Sequence, residues 1–126
     1  PAYVIPRVCV EPVSLGGYRV PVGAEIWMWV YFLHHDARWF EEPERFRPQR
    51  FLPEAEAKRR PNTYIPFGAG SRACVGRHFA MLEATLCLAA LLRRFRLRLV
   101  SSRTVRLHPR ITLAPARPIH VRLEAR

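Results

Sequence analysis

The sequence predicts an α+β fold in which short strands come first, a proline-punctuated connection follows, and one uninterrupted helix leads back to short strands. Three observations carry this. Over positions 1–35, β-branched and aromatic residues cluster in brief runs bounded by Gly and Pro, as strands and tight turns require. Prolines in residues 36–62 are too dense for a long helix or a paired strand. From Val75 to Arg94 the chain contains no proline and, after Gly76, no glycine, which suits one long helix. The expected plan is a single partial domain: a β-rich segment 1–35, a meander 36–62, a loop 63–74, a helix 75–94 and terminal strands 95–126.

Taken in order, Ala2 to Val10 is extended, because Val4, Ile5, Val8 and Val10 are β-branched and Pro6 excludes a regular helix. Within it Arg7 suits an edge-strand side chain facing water, and Cys9 a small buried apolar residue. Leu15-Gly16-Gly17-Tyr18 predicts a tight hairpin, and Pro21-Val22-Gly23 a second turn. Ala24 to Phe32, with Ile26, Trp27, Trp29, Val30 and Tyr31, predicts a strand buried on both faces. His34-His35-Asp36 offers metal-ligating residue types. Adjacent side chains on a helical turn point about 100° apart, so capping or a hydrogen bond across the fold is expected of His34 instead.

The meander carries Trp39, Phe40, Phe46, Phe51 and Leu52, too apolar for disorder, so an ordered path is expected. Glu54 to Arg60 is its solvated end and offers no site. Then comes Phe67-Gly68-Ala69-Gly70-Ser71-Arg72-Ala73-Cys74-Val75-Gly76. Pro66 blocks a helix before this loop, and Gly68 and Gly70 open backbone conformations closed to other residues. Cys74 therefore lies where a glycine loop meets a helix N-terminus. Unpaired N–H groups and the positive dipole end converge there, and Arg72 adds a cation. Such surroundings favour a thiolate, the form that binds metal. One cysteine is a single-ligand design, suited to a metal that already holds most of its ligands. His78, four residues on, raises a Cys–His zinc pair, but zinc needs further protein ligands and none is placed nearby. The helix that follows is apolar nearly all round, as a centrally packed helix is, with Cys87 expected in its core. Phe95 to Val100, Arg110 to Ala114 and Pro118 to Leu123 predict three short strands, with turns at Ser101-Ser102, Pro109 and Pro115.

Phe67, Gly70, Arg72, Cys74 and Gly76 fill every fixed position of the pattern Phe-x-x-Gly-x-Arg-x-Cys-x-Gly, and Ala80 matches a further common one. On these residues the chain resembles the cytochrome P450 family. That resemblance implies the C-terminal, haem-ligating portion of a mostly helical fold, ending in a β-hairpin. It implies haem b (iron protoporphyrin IX) ligated through iron by Cys74, with Phe67, Gly68, Arg72, Gly76 and Ala80 around it. Arg7, and Arg72 with it, would pair with propionates. Backbone N–H groups near Val75, Gly76 and Arg77 would donate to the sulfur. Arg50, in the Pro-x-Arg-Phe segment, would complete a Glu–Arg–Arg cluster whose Glu-x-x-Arg pair lies before Pro1, and an Arg50 left without that carboxylate would be destabilising. His34 would be structural. Ile111 to Leu113 would brush substrate. The implied activity is O2-dependent oxidation of a small organic substrate, with electrons from a ferredoxin or a flavin reductase. The oxygen-activating helix also lies outside this sequence, so the 126 residues alone are expected to be inactive.

Bulk composition limits the alternatives. Nearly half of the residues are apolar (49%), which excludes disordered and fibrous classes. No apolar run approaches the roughly 20 residues of a membrane-spanning helix. Three cysteines without C-x-x-C spacing fit neither a disulfide framework nor a zinc ribbon, and point to the cytoplasm. The net charge of +11 is almost all arginine, with Lys58 the only lysine. A basic nucleic-acid-binding domain is one rival, but no aromatic-rich or helical reading motif accompanies the charge, so nucleic acid is not an expected partner. The other rival is a non-catalytic haem or redox-sensing module.

Overall fold

The computed structural model describes residues 2–101, 104–110 and 112–126, which form two compact units, Pro1–Gly68 and Ala69–Arg126.

In the first unit, β1 (Ile5–Val8) pairs antiparallel with β4 (Glu25–Met28), Ile5 opposite Met28 and Val8 opposite Glu25. Between them, β2 (Val13–Leu15) and β3 (Tyr18–Val20) form a hairpin in which Leu15 faces Tyr18. Gly16 and Gly17 alone make the turn, at φ 57° and 86°. Positive φ at both central residues is the turn whose twist matches the flanking strands. Cys9 is buried, and its thiol donates to the Glu11 carbonyl at 2.8 Å.

The apolar run expected as one buried strand divides in two. β4 ends at Met28, and Val30–His34 is a short helix, α1. Of the run, Val30 is fully buried, whereas Trp27, Met28, Trp29 and Phe32 are exposed. A short apolar run does not by itself distinguish strand from helix. Here Tyr31 donates its N–H to the Tyr3 carbonyl at 3.2 Å, and Tyr3 meets Trp29 edge-on with centroids 5.6 Å apart. Those contacts need the chain to turn at Trp29.

The meander is ordered. A 3₁₀ turn over Pro48–Phe51 leads into α2 (Pro53–Lys58), so most of the expected solvated loop end is helical. Pro53 is pre-organised for a first helical turn, and Glu54 and Glu56 suit its positive end. Phe40 and Thr63 are buried beneath the meander. Ion pairs join Asp36 to Arg38, and Glu42 to both Arg45 and Arg47. The Arg38 guanidinium holds the Asp36 carboxyl below its usual range.

In the second unit, a 3₁₀ turn over Gly70–Arg72 precedes α3 (Arg77–Arg94). The helix opens at Arg77 rather than Val75. β5 (Phe95–Leu99) pairs antiparallel with β8 (Val121–Ala125), and β6 (Leu107–His108) with β7 (Ala114–Pro115). The terminal segment thus holds a strand at Leu107–His108 that was not expected, and of the strand expected over Arg110 to Ala114 only Ala114 belongs to a described strand, β7. Two-residue ladders carry too little periodicity to be read from sequence. Ile111 and Ser102 lie outside the described residues.

The long helix differs from expectation in its burial. No described residue of α3 is buried, with Leu82 and Leu86 each 60% exposed and Cys87 exposed rather than in a core. A helix apolar on all sides needs neighbours on several sides. Within this chain its main partner is β5, the strand that follows it. No helix among the described residues is long and apolar enough to cross a membrane.

Candidate functional site

Cys74 lies between two local structures that each have a clear cause. Ahead of it, Gly68 and Gly70 sit at φ 74° and 69°, conformations that L-residues with a Cβ avoid. Ala73 then donates its N–H to the Gly70 carbonyl at 3.1 Å, closing the 3₁₀ turn that carries Arg72. Behind it, Gly76 caps α3, and Ala80 donates to the Gly76 carbonyl at 2.9 Å. Cys74 itself is a free, exposed thiol. A Cβ added at Gly76 would lie 3.9 Å from the Cys74 sulfur, so the glycine leaves that flank of the sulfur open.

The donors differ in part from expectation. The Arg77 N–H points to the Cys74 carbonyl at 3.4 Å, not to its sulfur, because Arg77 already belongs to the first turn of α3. The N–H groups of Val75 and Gly76 take no hydrogen-bond partner among the described residues. His78 lies on α3 whereas Cys74 precedes the helix, so helical spacing does not place the two on one face. Among the described residues no group of three His, Cys, Asp or Glu side chains could hold a metal ion. The chemistry available is one accessible sulfur beside unpaired backbone donors, with cationic Arg72 nearby in sequence.

Other residues singled out from the sequence lie in the first unit. Arg7 is half-buried on β1 opposite Ile26, and its guanidinium donates to the Pro6 carbonyl at 2.8 Å. Phe67 and Gly68 close that unit, and the Gly68 N–H donates to the Ile65 carbonyl at 3.0 Å. Arg50 is not an orphan. It donates to the carbonyl of Glu41, to that of Glu42 at 2.6 Å and to that of Arg45 at 3.1 Å. Three carbonyl acceptors take three of its N–H donors, and the side chain is only partly buried, so Arg50 is not left unpaired within this chain.

His34 Nε2 accepts the Ile65 N–H at 2.9 Å. The imidazole lies 4.8 Å from the Tyr64 ring and 6.4 Å from that of Phe40. Burial, and then the neighbouring His35, push its pKa below the usual histidine value. Arg59 was not singled out in the sequence, yet its guanidinium stacks over both Phe51 and Tyr64, about 5 Å from each ring. Only its place after a helix C-terminus could have marked it. His34 and Arg50 line one cavity of roughly 170 Å³ together with Phe40, Phe51 and Tyr64. In the second unit a cleft of roughly 1010 Å³ is lined by Leu99, Val105, Arg106, Ile119 and His120. Thr112 and Leu113, expected near substrate, do not line it.

The cysteine loop and the elements around it are those of a known family. The family model for cytochrome P450 matches residues 1–122, and the chain belongs to the cytochrome P450 family. It is 40% identical over 113 residues to cyclooctatin synthase of Streptomyces melanosporofaciens, covering 90% of this chain and 25% of that protein. It is 35% identical to thromboxane-A synthase of Macaca fascicularis over 128 aligned positions, covering 24% of that protein. A solved structure described as the cytochrome P450DA haem domain superposes with a TM-score of 0.91 at 27% identity, covering 99% of this chain and 28% of that one. The chain thus spans about a quarter of the length of these relatives, and its mixed helix-and-strand architecture is that of a P450 haem domain over nearly its whole extent.

Proposed function

We propose that this chain is the haem-ligating part of a P450 monooxygenase and that Cys74 would supply the thiolate ligand to haem b. The observation that carries the reading is the exposed, unpaired Cys74, held between a glycine-dependent turn and the α3 N-terminus, with Gly76 leaving the sulfur accessible. This donor set fits the group. A single soft anionic ligand is what haem iron takes from a P450 protein, and the thiolate's electron push favours O–O cleavage.

Each residue has its own part. The thiolate of Cys74 would hold the iron, and the N–H groups of Val75 and Gly76, unpaired among the described residues, would be the donors available to tune it. Arg72 and Arg7 would neutralise propionates by charge-assisted hydrogen bonding. Gly68 holds the loop conformation, and Ala80 keeps the first turns of α3 slim. When bound, haem supplies oxygen activation for insertion of one oxygen atom into a small organic substrate, fed by a ferredoxin or flavin electron donor. The arginine-rich surface suits an acidic donor protein. Three free thiols fit a reducing, cytoplasmic setting.

With α3 uncovered, residues 1–126 by themselves are expected to bind haem weakly and not to turn over. The test is Cys74→Ser in the complete, haem-loaded protein, read in the reduced-CO Soret band. Loss of the thiolate-type band is expected. Its retention would mean that another residue ligates iron. NADPH-dependent hydroxylation by isolated residues 1–126 would refute the requirement for more chain.

A further inference from the structure

We propose that His34 is a positioning residue whose neutral imidazole latches the segment leading into the cysteine loop, and that acid releases it. The inference rests on the haem-thiolate reading above only for its consequence at iron; the latch itself stands on geometry.

Ile65 and His34 lie 31 residues apart in sequence, yet the Ile65 N–H donates to His34 Nε2 at 2.9 Å. Apart from the Tyr64 ring, which packs on His34, Phe40 and Phe51, the segment has few other hydrogen-bond anchors. Pro66 has no N–H to offer, and the Gly68 N–H is spent within the segment on the Ile65 carbonyl. Thr63 bonds back to Arg60 through both its N–H and its hydroxyl. Among the described residues, the hydrogen bond at His34 is the one that ties this segment to α1. Beyond it the chain runs through Gly68 and Gly70, both in the left-handed region, to Cys74.

The bond requires one protonation state. Nε2 accepts, so the ring proton sits on Nδ1. A second proton would turn Nε2 into a donor facing a donor, and the Ile65 N–H would lose its partner. The surroundings disfavour that proton. Tyr64 and Phe40 cover the ring, His35 follows it as the C-cap of α1, and Arg45, Arg47 and Arg50 line the same cavity. Arg59 lies over Tyr64 and is paired with Glu56. The nearest carboxylate in sequence, Asp36, lies just past α1 and is engaged by Arg38. With its pKa lowered in the fold, His34 binds fewer protons folded than unfolded. Its contribution is therefore complete above about 6.5 and declines as pH falls below that value.

The test uses the complete haem-loaded protein with two readouts against pH: the exchange protection of the Ile65 amide and the reduced-CO Soret band. In the wild type, Ile65 protection is expected to fall at least tenfold as His34 titrates, with loss of the thiolate band in the same range. His34→Gln keeps an acceptor that does not titrate, and should retain both signals through that range. His34→Phe keeps the aromatic packing but should leave Ile65 unprotected at every pH. Unchanged Ile65 protection across the His34 titration would overturn the latch, as would an acid transition in His34→Gln identical to wild type. Opening of Ile65 with an undisturbed thiolate band would overturn its positioning role. Absence of the band at every pH would instead refute the haem-thiolate reading, with Ile65 exchange still deciding the latch.

Discussion

A Cβ built on Gly76 stands 3.9 Å from the sulfur of Cys74, an ordinary contact for a methyl group but an obstruction for anything longer. Gly76→Ala should therefore bind haem nearly as the wild type does. Gly76→Leu places further carbons beside the sulfur, and overpacking of that kind costs about 1–3 kcal/mol, or roughly fivefold to over a hundredfold in affinity. Haem titration of the complete protein in its haem-free form checks this. Equal affinity in the two variants would show that the flank of Cys74 is not where haem sits.

Arg98 and Arg122 face each other directly across the β5–β8 ladder, while Glu124 reaches Arg98 at 3.3 Å. Like charges directly opposite destabilise a pair of strands, by roughly 0.2–1 kcal/mol. Arg122→Thr removes the repulsion and adds a β-branched residue, so the denaturant midpoint should rise. The gain should shrink in high salt, because exposed charges are screened. A midpoint that falls, or a gain independent of salt, would contradict the account.

Tyr64 contributes to the alkaline side of stability. Burial among aromatic rings pushes its phenol above the ordinary value of 10.0, although the Arg59 guanidinium works against that. A raised pKa in the fold means that the contribution is complete below about 10 and is lost as pH rises through the folded value. Tyr64→Phe cannot ionise, so its stability should decline less between neutral pH and pH 11 than that of the wild type. Parallel denaturation curves for the two proteins would remove Tyr64 from the alkaline transition.

Several features are legible in the sequence alone. The Gly16-Gly17 hairpin follows from two adjacent residues able to take positive φ, flanked by strand formers. The cysteine loop follows from spacing, since Gly68, Gly70, Cys74 and Gly76 each have a local backbone reason to stand where they do. The long helix follows from a run free of breakers. What failed had a common cause. Ile26 to Phe32 is apolar enough for strand or helix, and only the Tyr3 carbonyl, reached from the other end of the β-rich segment, turns the run at Trp29. The apolar character of its helix predicts Cys87 in a core, yet composition says that a face wants covering, not what covers it.

The amino-acid order alone determined the turns, the helical run and the single sulfur at its start, because those depend on backbone sterics and spacing within a few residues. Tertiary structure alone decided which distant atoms meet. Ile65 fills the acceptor on His34, and the carbonyls of Glu41, Glu42 and Arg45 take up Arg50. A hydrogen-bond donor specifies the kind of partner it needs but not the partner's address, and that is fixed only when the chain closes on itself.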